Sequence, residues 1–180
     1  MKLTNCGLMM LMLLTLTLSS SWGEANTEIF PSVLVNTLTD EQLQLPGDLR
    51  ATPSLFIVGF SKASREETQP WSKILRAKYA TEDLAIYSVS VLEDVPRFIR
   101  GIVTRSIRKS VPDALHGQFL LVTKQGEQWK KVTDYSDDAE DAAYLLLLNR
   151  EHMHIWRFHG TSSLPNQQLV ELKIAGVVTK

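Results

Sequence analysis

The hydrophobic pattern changes period several times along the chain, which predicts alternating strands and helices. Residues 55–60 form a continuous apolar run between Pro53 and Ser61. A run of this kind is typical of a central strand that is buried on both faces. A helical stripe follows, with apolar side chains three and four residues apart at Trp71, Ile74, Leu75 and Tyr79. The centre of the chain therefore begins as a strand followed by a helix.

Two sequence signals compete at the start of this helix. Ser64 and Glu67 have the spacing of a capping box. Pro70 would kink a helix that begins at Ser64, or would start a helix at its own position. The sequence leaves both alternatives open.

The remaining segments continue the alternation of strands and helices. Residues 30–50 alternate short apolar runs with turn residues and predict a hairpin at an edge of the sheet. Further elements are expected as strands at 84–92 and 119–122, a helix from Pro96 to about Lys109, a short helix or turn at 125–131, a hairpin of strands at 142–148 and 154–159, and an amphipathic helix at 165–178. This order predicts a mixed α/β sandwich with helices on both faces of the sheet.

Composition supports one globular domain and argues against one class of partner. The chain has 180 residues, of which 44% are hydrophobic, enough for a single domain with a proper core. Nineteen basic and 20 acidic residues give a net charge of −1, so no overall field attracts nucleic acid. We expect no nucleic-acid partner.

The N-terminus has the pattern of a secretory signal peptide. Lys2 precedes residues 8–18, which are apolar apart from two threonines. As a helix, this core would be ~16 Å long, about half the thickness of a bilayer's hydrocarbon interior. We predict a signal peptide at residues 1–23, with cleavage possible as late as residue 25, and a domain at 24–180 in an exported protein, periplasmic or secreted. A retained short membrane anchor is the alternative.

The single cysteine restricts the chemistry of the exported protein. Cys6 lies before the apolar core, whereas a lipoprotein signal needs its cysteine after that core. Lipidation is therefore not expected. The mature chain has no cysteine for a disulfide, a thiolate nucleophile or a thiol metal ligand.

Two sequence motifs resemble those of a known superfamily. Residues 45–50 (LPGDLR) resemble the lead-in to a first core strand, and residues 145–160 resemble a hairpin motif with a tryptophan and a closing glycine. By these motifs and the order of its elements, the chain resembles the thioredoxin-like superfamily, in particular its peroxiredoxin-like and ATP-synthase-assembly-factor-like branch. The resemblance spans roughly residues 30–178. It implies a three-layer sandwich with a mixed central sheet and an N-terminal hairpin extension.

The departures from the superfamily concern its redox site. The resemblance places the redox cysteines just after the first core strand, where this chain has Ser61 and Ser64 at Cys-x-x-Cys spacing. It places a cis-proline near residues 141–143, where this chain has no proline. The expected protein is therefore a binding, assembly or accessory protein of the cell envelope, without thiol–disulfide or thiol-peroxidase activity and without a cofactor.

A non-thiol enzyme is the alternative function. Residues 59–63 (GFSKA) resemble a nucleophile elbow, with Asp138 or Asp141 and then His159 following in the order of a catalytic triad. Against this interpretation, the domain is small for an α/β-hydrolase, and Ala63 replaces the second glycine. A helix cap at Ser64 with a solvated Ser61 is the simpler interpretation.

Two further groups of polar residues invite a metal-site interpretation. His152, His154 and His159 lie close together in the sequence, and residues 134–141 include five carboxylates. Neither group has the ligand spacing of a zinc or calcium site. We interpret them as ordinary histidines and a solvated acidic loop, and predict no metal.

The second helix carries a candidate binding surface. Helical geometry predicts that the basic residues of this helix lie on one side, namely Arg97, Arg100, Arg105, Arg108 and Lys109. We expect the apolar residues on the opposite side, which docks onto the domain, namely Phe98, Ile99, Ile102, Val103 and Ile107. Such a basic stripe would meet an acidic envelope protein or an anionic membrane surface. The alternative is a face that only keeps the protein soluble.

Overall fold

The computed structural model describes residues 28–79 and 83–178. The predicted signal peptide, its cleavage point and Cys6 lie outside the described residues. The strands are β1 (Glu28–Ile29), β2 (Val33–Thr37), β3 (Gln42–Leu45), β4 (Ser54–Gly59), β5 (Ala85–Val91), β6 (Phe119–Val122), β7 (Tyr144–Leu148) and β8 (Met153–His159). The helices are α1 (Arg65–Tyr79), α2 (Arg97–Ser110), α3 (Gly126–Thr133) and α4 (Leu164–Val178), with short 3-10 helices at Asp113–Gln118 and Asp137–Ala139.

The strands form one mixed sheet in the order β1-β8-β7-β4-β5-β6-β2-β3. β4 pairs in parallel with β5, and β5 pairs in parallel with β6. The other pairs are antiparallel. β4 lies inside the sheet and is buried along its whole length, as its continuous apolar run predicts. The mixed sheet, the edge hairpin β2–β3 and the hairpin β7–β8 are confirmed.

Helices cover the two faces of the sheet unequally. Leu55 and Ile57 of β4 contribute to the core cluster that packs against α1 and α4. Phe56 and Val58 point to the other face and pack against α3. α2 lies on the same face as α1, where Ile107 packs near β6. The alternation of side chains along β4 thus divides the core into two layers, and helices on both faces are confirmed.

Two tryptophans anchor the two layers. Trp71 of α1 is completely buried, and its indole N–H donates to the carbonyl oxygen of Gly160 at 2.8 Å. Trp129 of α3 is 1% exposed and packs edge-on against Phe30 and Phe56. Each tryptophan therefore fixes one helix to its face of the sheet.

The start of α1 differs from the predicted capping box. The Ser64 hydroxyl donates to the carbonyl oxygen of Ser61 at 2.7 Å, and the backbone N–H of Glu67 donates to the backbone oxygen of Ser64. The side-chain cap lies three residues earlier, because the Ser61 hydroxyl accepts from the Ser64 N–H at 3.0 Å. α1 begins at Arg65 and contains Pro70, so the helix does not start at the proline.

The last helix is apolar on two sides. Val170 and Ile174 of α4 are fully buried, but Leu164 and Leu172 are about 70% exposed. The prediction of an amphipathic helix was therefore wrong, since leucines occupy the solvent side as well. None of the helices within residues 28–79 and 83–178 is both long and apolar enough to cross a bilayer.

Candidate functional site

The turn between β4 and α1 is built from serines and a glycine. We call residues 61–64 the serine turn. Within it, Ser61 and Ser64 each bond the other residue's backbone, as described above. Gly59 makes this turn possible, because a Cβ atom at this position would lie 2.4 Å from the Ser64 hydroxyl oxygen. The close packing of Ser64 against the end of β4 therefore requires glycine at residue 59.

Asp141 reaches the serine turn from a distant part of the sequence. The Ser61 hydroxyl donates a short hydrogen bond to a carboxylate oxygen of Asp141. Asp141 lies in the loop before β7, and β7 pairs with β4, so the sheet brings the two segments together. The resemblance placed the missing cis-proline at residues 141–143, and this segment does face the position of the missing cysteines.

The hydrogen bonds of Ser61 bear on the predicted triad. A serine hydroxyl has one proton, and here that proton is donated to Asp141. In a serine nucleophile, the proton acceptor is a general base, usually a histidine. His159 packs instead against the ring of Tyr144, with 5.2 Å between the ring centroids. In this arrangement Ser61 is partly exposed and its hydroxyl caps α1, so the side-chain cap lies at Ser61 and not at Ser64.

A cleft of about 880 Å³ opens beside the serine turn, between α1 and α2. We call it the α1–α2 cleft. Its floor is the face of the sheet where Ser88 and Ser90 of β5 lie beside Ile57 and Gly59 of β4. Most strand residues on this side of the sheet are covered by a helix, but the two serines line the cleft between α1 and α2. The result is a cavity with a polar floor in the middle of the sheet.

Arg76 of α1 lines this cleft. Its guanidinium donates to the Ser72 hydroxyl at 3.1 Å and to the carbonyl oxygen of Ile86 at 2.8 Å. A third, short bond goes to the side-chain oxygen of Gln118. Burial lowers the pKa of Arg76 to about 10, so the group stays cationic at neutral pH. Reasoning from the sequence missed Arg76, because it looks like one of several basic residues on the polar side of α1.

The predicted basic stripe of α2 is divided between half-buried and exposed positions. Arg100 donates to the carbonyl oxygens of Glu93, Val95 and Thr123, which fixes the loop before α2. Arg108 pairs with Asp40 at 2.6 Å. These two arginines bind the rest of the domain, and so the expectation that all five basic residues share one outer side was wrong.

The apolar side of α2 is also only partly docked. Phe98 is 84% exposed and Ile102 is 65% exposed. They share one exposed stripe with Arg105 and Lys109, because these four positions follow one another at intervals of four, three and four residues. We call these four residues the α2 stripe. Arg97 is exposed at the first turn of the same helix.

The histidines and the acidic loop remain separate from these sites. His152 lies in the turn before β8, His154 is buried in β8, and His159 is exposed at the end of that strand. No group of three histidine, aspartate or glutamate side chains within the described ranges is arranged to hold a metal ion.

Comparison with known proteins gives the fold and no closer relationship. Neither a protein-family model nor a curated protein sequence matches the chain. Among solved structures, the chain is similar to BsSco, a member of the Sco family of cytochrome c oxidase assembly proteins, with 13% identity, a TM-score of 0.59, and 87% of this chain and 96% of that chain covered. The chain has a thioredoxin-like fold. This confirms the fold that the resemblance predicted.

Two further structures share this thioredoxin-like fold. The thioredoxin domain of a thiol-disulfide oxidoreductase from Bacteroides vulgatus matches with 16% identity and a TM-score of 0.56, covering 82% of this chain and 96% of that chain. A peroxiredoxin-like protein from Aquifex aeolicus matches with 11% identity and a TM-score of 0.53, covering 84% of this chain and 86% of that chain.

Proposed function

We propose that this protein is an exported, non-redox member of the thioredoxin-like fold that acts by binding, as an assembly or accessory protein of the cell envelope. The observation that carries the proposal is the serine turn. The resemblance assigns Ser61 and Ser64 the positions of redox cysteines; the Ser61 hydroxyl caps the start of α1, and the Ser64 hydroxyl donates to the backbone oxygen of Ser61. A hydroxyl does not cycle between thiol and disulfide, so this site has a structural role.

Assays of thiol chemistry test this proposal. The purified chain should neither reduce insulin disulfides nor consume hydrogen peroxide faster than buffer containing the same reductant. The variant Cys6→Ser controls for the one thiol in the sequence. Turnover that survives in this variant would overturn the proposal. Ester hydrolysis that disappears in Ser61→Ala would favour the alternative, a non-thiol enzyme.

Export is the second part of the proposal and is supported by the N-terminal pattern of a basic residue, a short apolar core and small polar residues. N-terminal sequencing of the protein from fractionated cells tests it. The expected mature protein begins at Glu24 or Asn26 in the periplasm or the medium. Recovery of the uncleaved chain in the cytosol would contradict export.

We further propose that the α2 stripe contacts the anionic surface of a membrane. Two exposed apolar side chains, Phe98 and Ile102, lie beside two exposed cations, Arg105 and Lys109. The cations complement anionic headgroups, each contributing about 1 kcal/mol near a charged surface. Phe98 would enter the interface, where full burial of a side chain of this size contributes roughly 1.5–3 kcal/mol. An envelope protein with an acidic groove is the alternative partner.

Vesicle sedimentation distinguishes these partners. The chain should sediment with vesicles that contain phosphatidylglycerol and remain in solution with phosphatidylcholine alone. The double variant Arg105→Glu/Lys109→Glu should lose this binding, whereas Lys62→Glu/Arg150→Glu, which changes the net charge equally at exposed sites elsewhere, should retain most of it. Equal loss in both variants would show that net charge alone drives binding. If the chain sediments with neither kind of vesicle, the membrane proposal is wrong, and an envelope protein is the remaining candidate partner of the α2 stripe.

A further inference from the structure

We propose that the α1–α2 cleft binds a small amphiphilic organic anion, with Arg76 holding the anionic group. This inference deepens the proposed binding function, because it names a ligand class for a site that is separate from the α2 stripe. The cleft volume of about 880 Å³ lies within the range of small-molecule sites. Its walls combine one half-buried cation, several hydroxyl groups and an apolar side.

The charge of Arg76 is not balanced by a carboxylate within the described part of the chain. Its three acceptors are a hydroxyl, an amide oxygen and a backbone carbonyl oxygen, from Ser72, Gln118 and Ile86. A guanidinium has five N–H donors, so two remain beyond these bonds. A half-buried cation without a counter-charge is costly, and an anion in the cleft would offset that cost through charge-assisted hydrogen bonds.

Hydroxyl groups surround the anion position that Arg76 defines. Ser72 lies between Arg76 and the floor of the cleft, with its oxygen 3.4 Å from that of Ser88. Ser90 lies further along the same floor, towards Gly59 and the serine turn. Hydroxyl donors next to a guanidinium suit carboxylate or phosphate oxygens.

The other charges that face the cleft reinforce this preference for anions. Arg65 and Lys73 of α1 line its rim, and Glu66 is the one carboxylate among the described residues that line it. Together with Arg76, the lining therefore holds three cations and one anion. A neutral or cationic ligand would leave this excess positive charge uncompensated.

The opposite wall of the cleft is apolar, which favours a ligand that also has an apolar part. It consists of side chains from α2, from the segment after it and from the start of β6: Ile107, Val111, Leu115 and Phe119. Water against such a wall is displaced favourably by an apolar group. The cleft therefore matches a ligand with an anionic head and a short hydrocarbon body, such as an alkyl carboxylate or an alkyl phosphate.

Calorimetric titration with sodium octanoate, octyl phosphate and inorganic phosphate tests this assignment. We expect the purified chain to bind at least one octyl compound and to bind inorganic phosphate more weakly, because phosphate lacks the apolar body. Comparison of the two octyl compounds distinguishes a carboxylate site from a phosphate site. Absence of binding by both octyl compounds would overturn the inference.

Three variants locate the binding. Arg76→Gln should weaken it about tenfold or more, as expected for the loss of charge-assisted hydrogen bonds. Arg157→Gln is the matched control, since Arg157 is also half-buried but lies on β8 opposite Leu146, which packs in the core of the other face. Ser90→Phe should also block binding by filling the cleft without changing any charge. This second variant keeps the test decisive if Arg76→Gln does not fold.

The outcomes separate this inference from the proposed function. Binding that is unchanged in Arg76→Gln and Ser90→Phe would show that the octyl compounds bind elsewhere, and would overturn the cleft assignment. A lower thermal stability of Arg76→Gln with unchanged affinity would show that Arg76 only connects α1 to the sheet. Neither result would affect the interpretation of the thiol assays. Conversely, redox turnover in those assays would overturn the proposed function without changing the result of the calorimetric titration.

Discussion

Ser61 donates a hydrogen bond to Asp141, which lies 80 positions later in the chain. The contact joins the start of α1 to the loop before β7, the two segments where the resemblance placed a redox site. A carboxylate beside the N-terminus of a helix is favoured by the helix dipole. The position that the resemblance assigns to a redox site is therefore occupied by hydrogen bonds that stabilise the start of α1.

Removal of the Ser61 hydroxyl should destabilise the domain. Ser61→Ala loses the cap on the Ser64 N–H and the donor to Asp141, and we expect the free energy of unfolding to fall by about 1–2 kcal/mol. Urea denaturation measures this change. Ser106→Ala, at an exposed position within α2, is the control and should change stability by less than about 0.5 kcal/mol. Equal effects in the two variants would contradict the capping role.

Gly59 and Gly101 should respond oppositely to alanine. A Cβ at residue 59 would lie 2.4 Å from the Ser64 hydroxyl oxygen, whereas a Cβ at residue 101 meets nothing within 4 Å. Gly59→Ala should therefore cost about 1–3 kcal/mol through overpacking. Gly101→Ala should stabilise α2 by up to about 1 kcal/mol, because alanine is the better helix former. A stable Gly59→Ala variant would show that the serine turn tolerates displacement.

The two buried tryptophans provide another matched pair. The indole N–H of Trp71 donates to Gly160, whereas that of Trp129 is buried without a hydrogen-bond partner in the described structure. Trp71→Phe leaves a carbonyl oxygen unpaired, and Trp129→Phe removes an unsatisfied donor. We expect Trp71→Phe to cost about 1 kcal/mol more than Trp129→Phe in chemical denaturation. The reverse order would contradict this hydrogen-bond assignment.

Alkaline pH should reveal the burial of Tyr87. Burial raises the pKa of Tyr87 above its ordinary value, although the charge of Arg50 partly opposes this. A raised pKa in the folded state means that the unfolded chain loses the proton first. The contribution of Tyr87 to stability is therefore fully present below about pH 10 and is lost as pH rises through the folded-state pKa. The free energy of unfolding should fall more steeply above this pH in the unsubstituted chain than in Tyr87→Phe; parallel curves would contradict the burial effect.

Much of the fold follows from hydrophobic periodicity, because the continuous apolar runs of β4 and β7 predict central strands, and both strands are buried along their whole length. The two-residue strand β1 was missed, since so short a segment has no period of its own. α4 was misjudged because Leu164 and Leu172 face solvent despite their apolar character. Periodicity identifies which residues share a side, but it does not show whether another element covers that side.

The candidate sites were harder to predict from the sequence for the same reason. Ser61 was recognised from its spacing to Ser64, but its contact with Asp141 depends on the pairing of β4 with β7. Ser88 and Ser90 alternate with valines in β5, which predicts one polar side of the strand. That side lines a cleft because of the way α1 and α2 are placed over the sheet. Such a gap depends on tertiary packing, which leaves no local signal.

The insulin-reduction assay tests the central claim most directly, because thiol exchange is the activity that we propose the serine turn lacks. The chain, its Cys6→Ser variant and the double variant Ser61→Cys/Ser64→Cys are compared at equal concentration with dithiothreitol alone. We predict that the unsubstituted chain and Cys6→Ser reduce insulin no faster than dithiothreitol alone. Only the double variant carries a thiol pair at the start of α1. Insulin reduction by Cys6→Ser above the dithiothreitol rate would contradict the account.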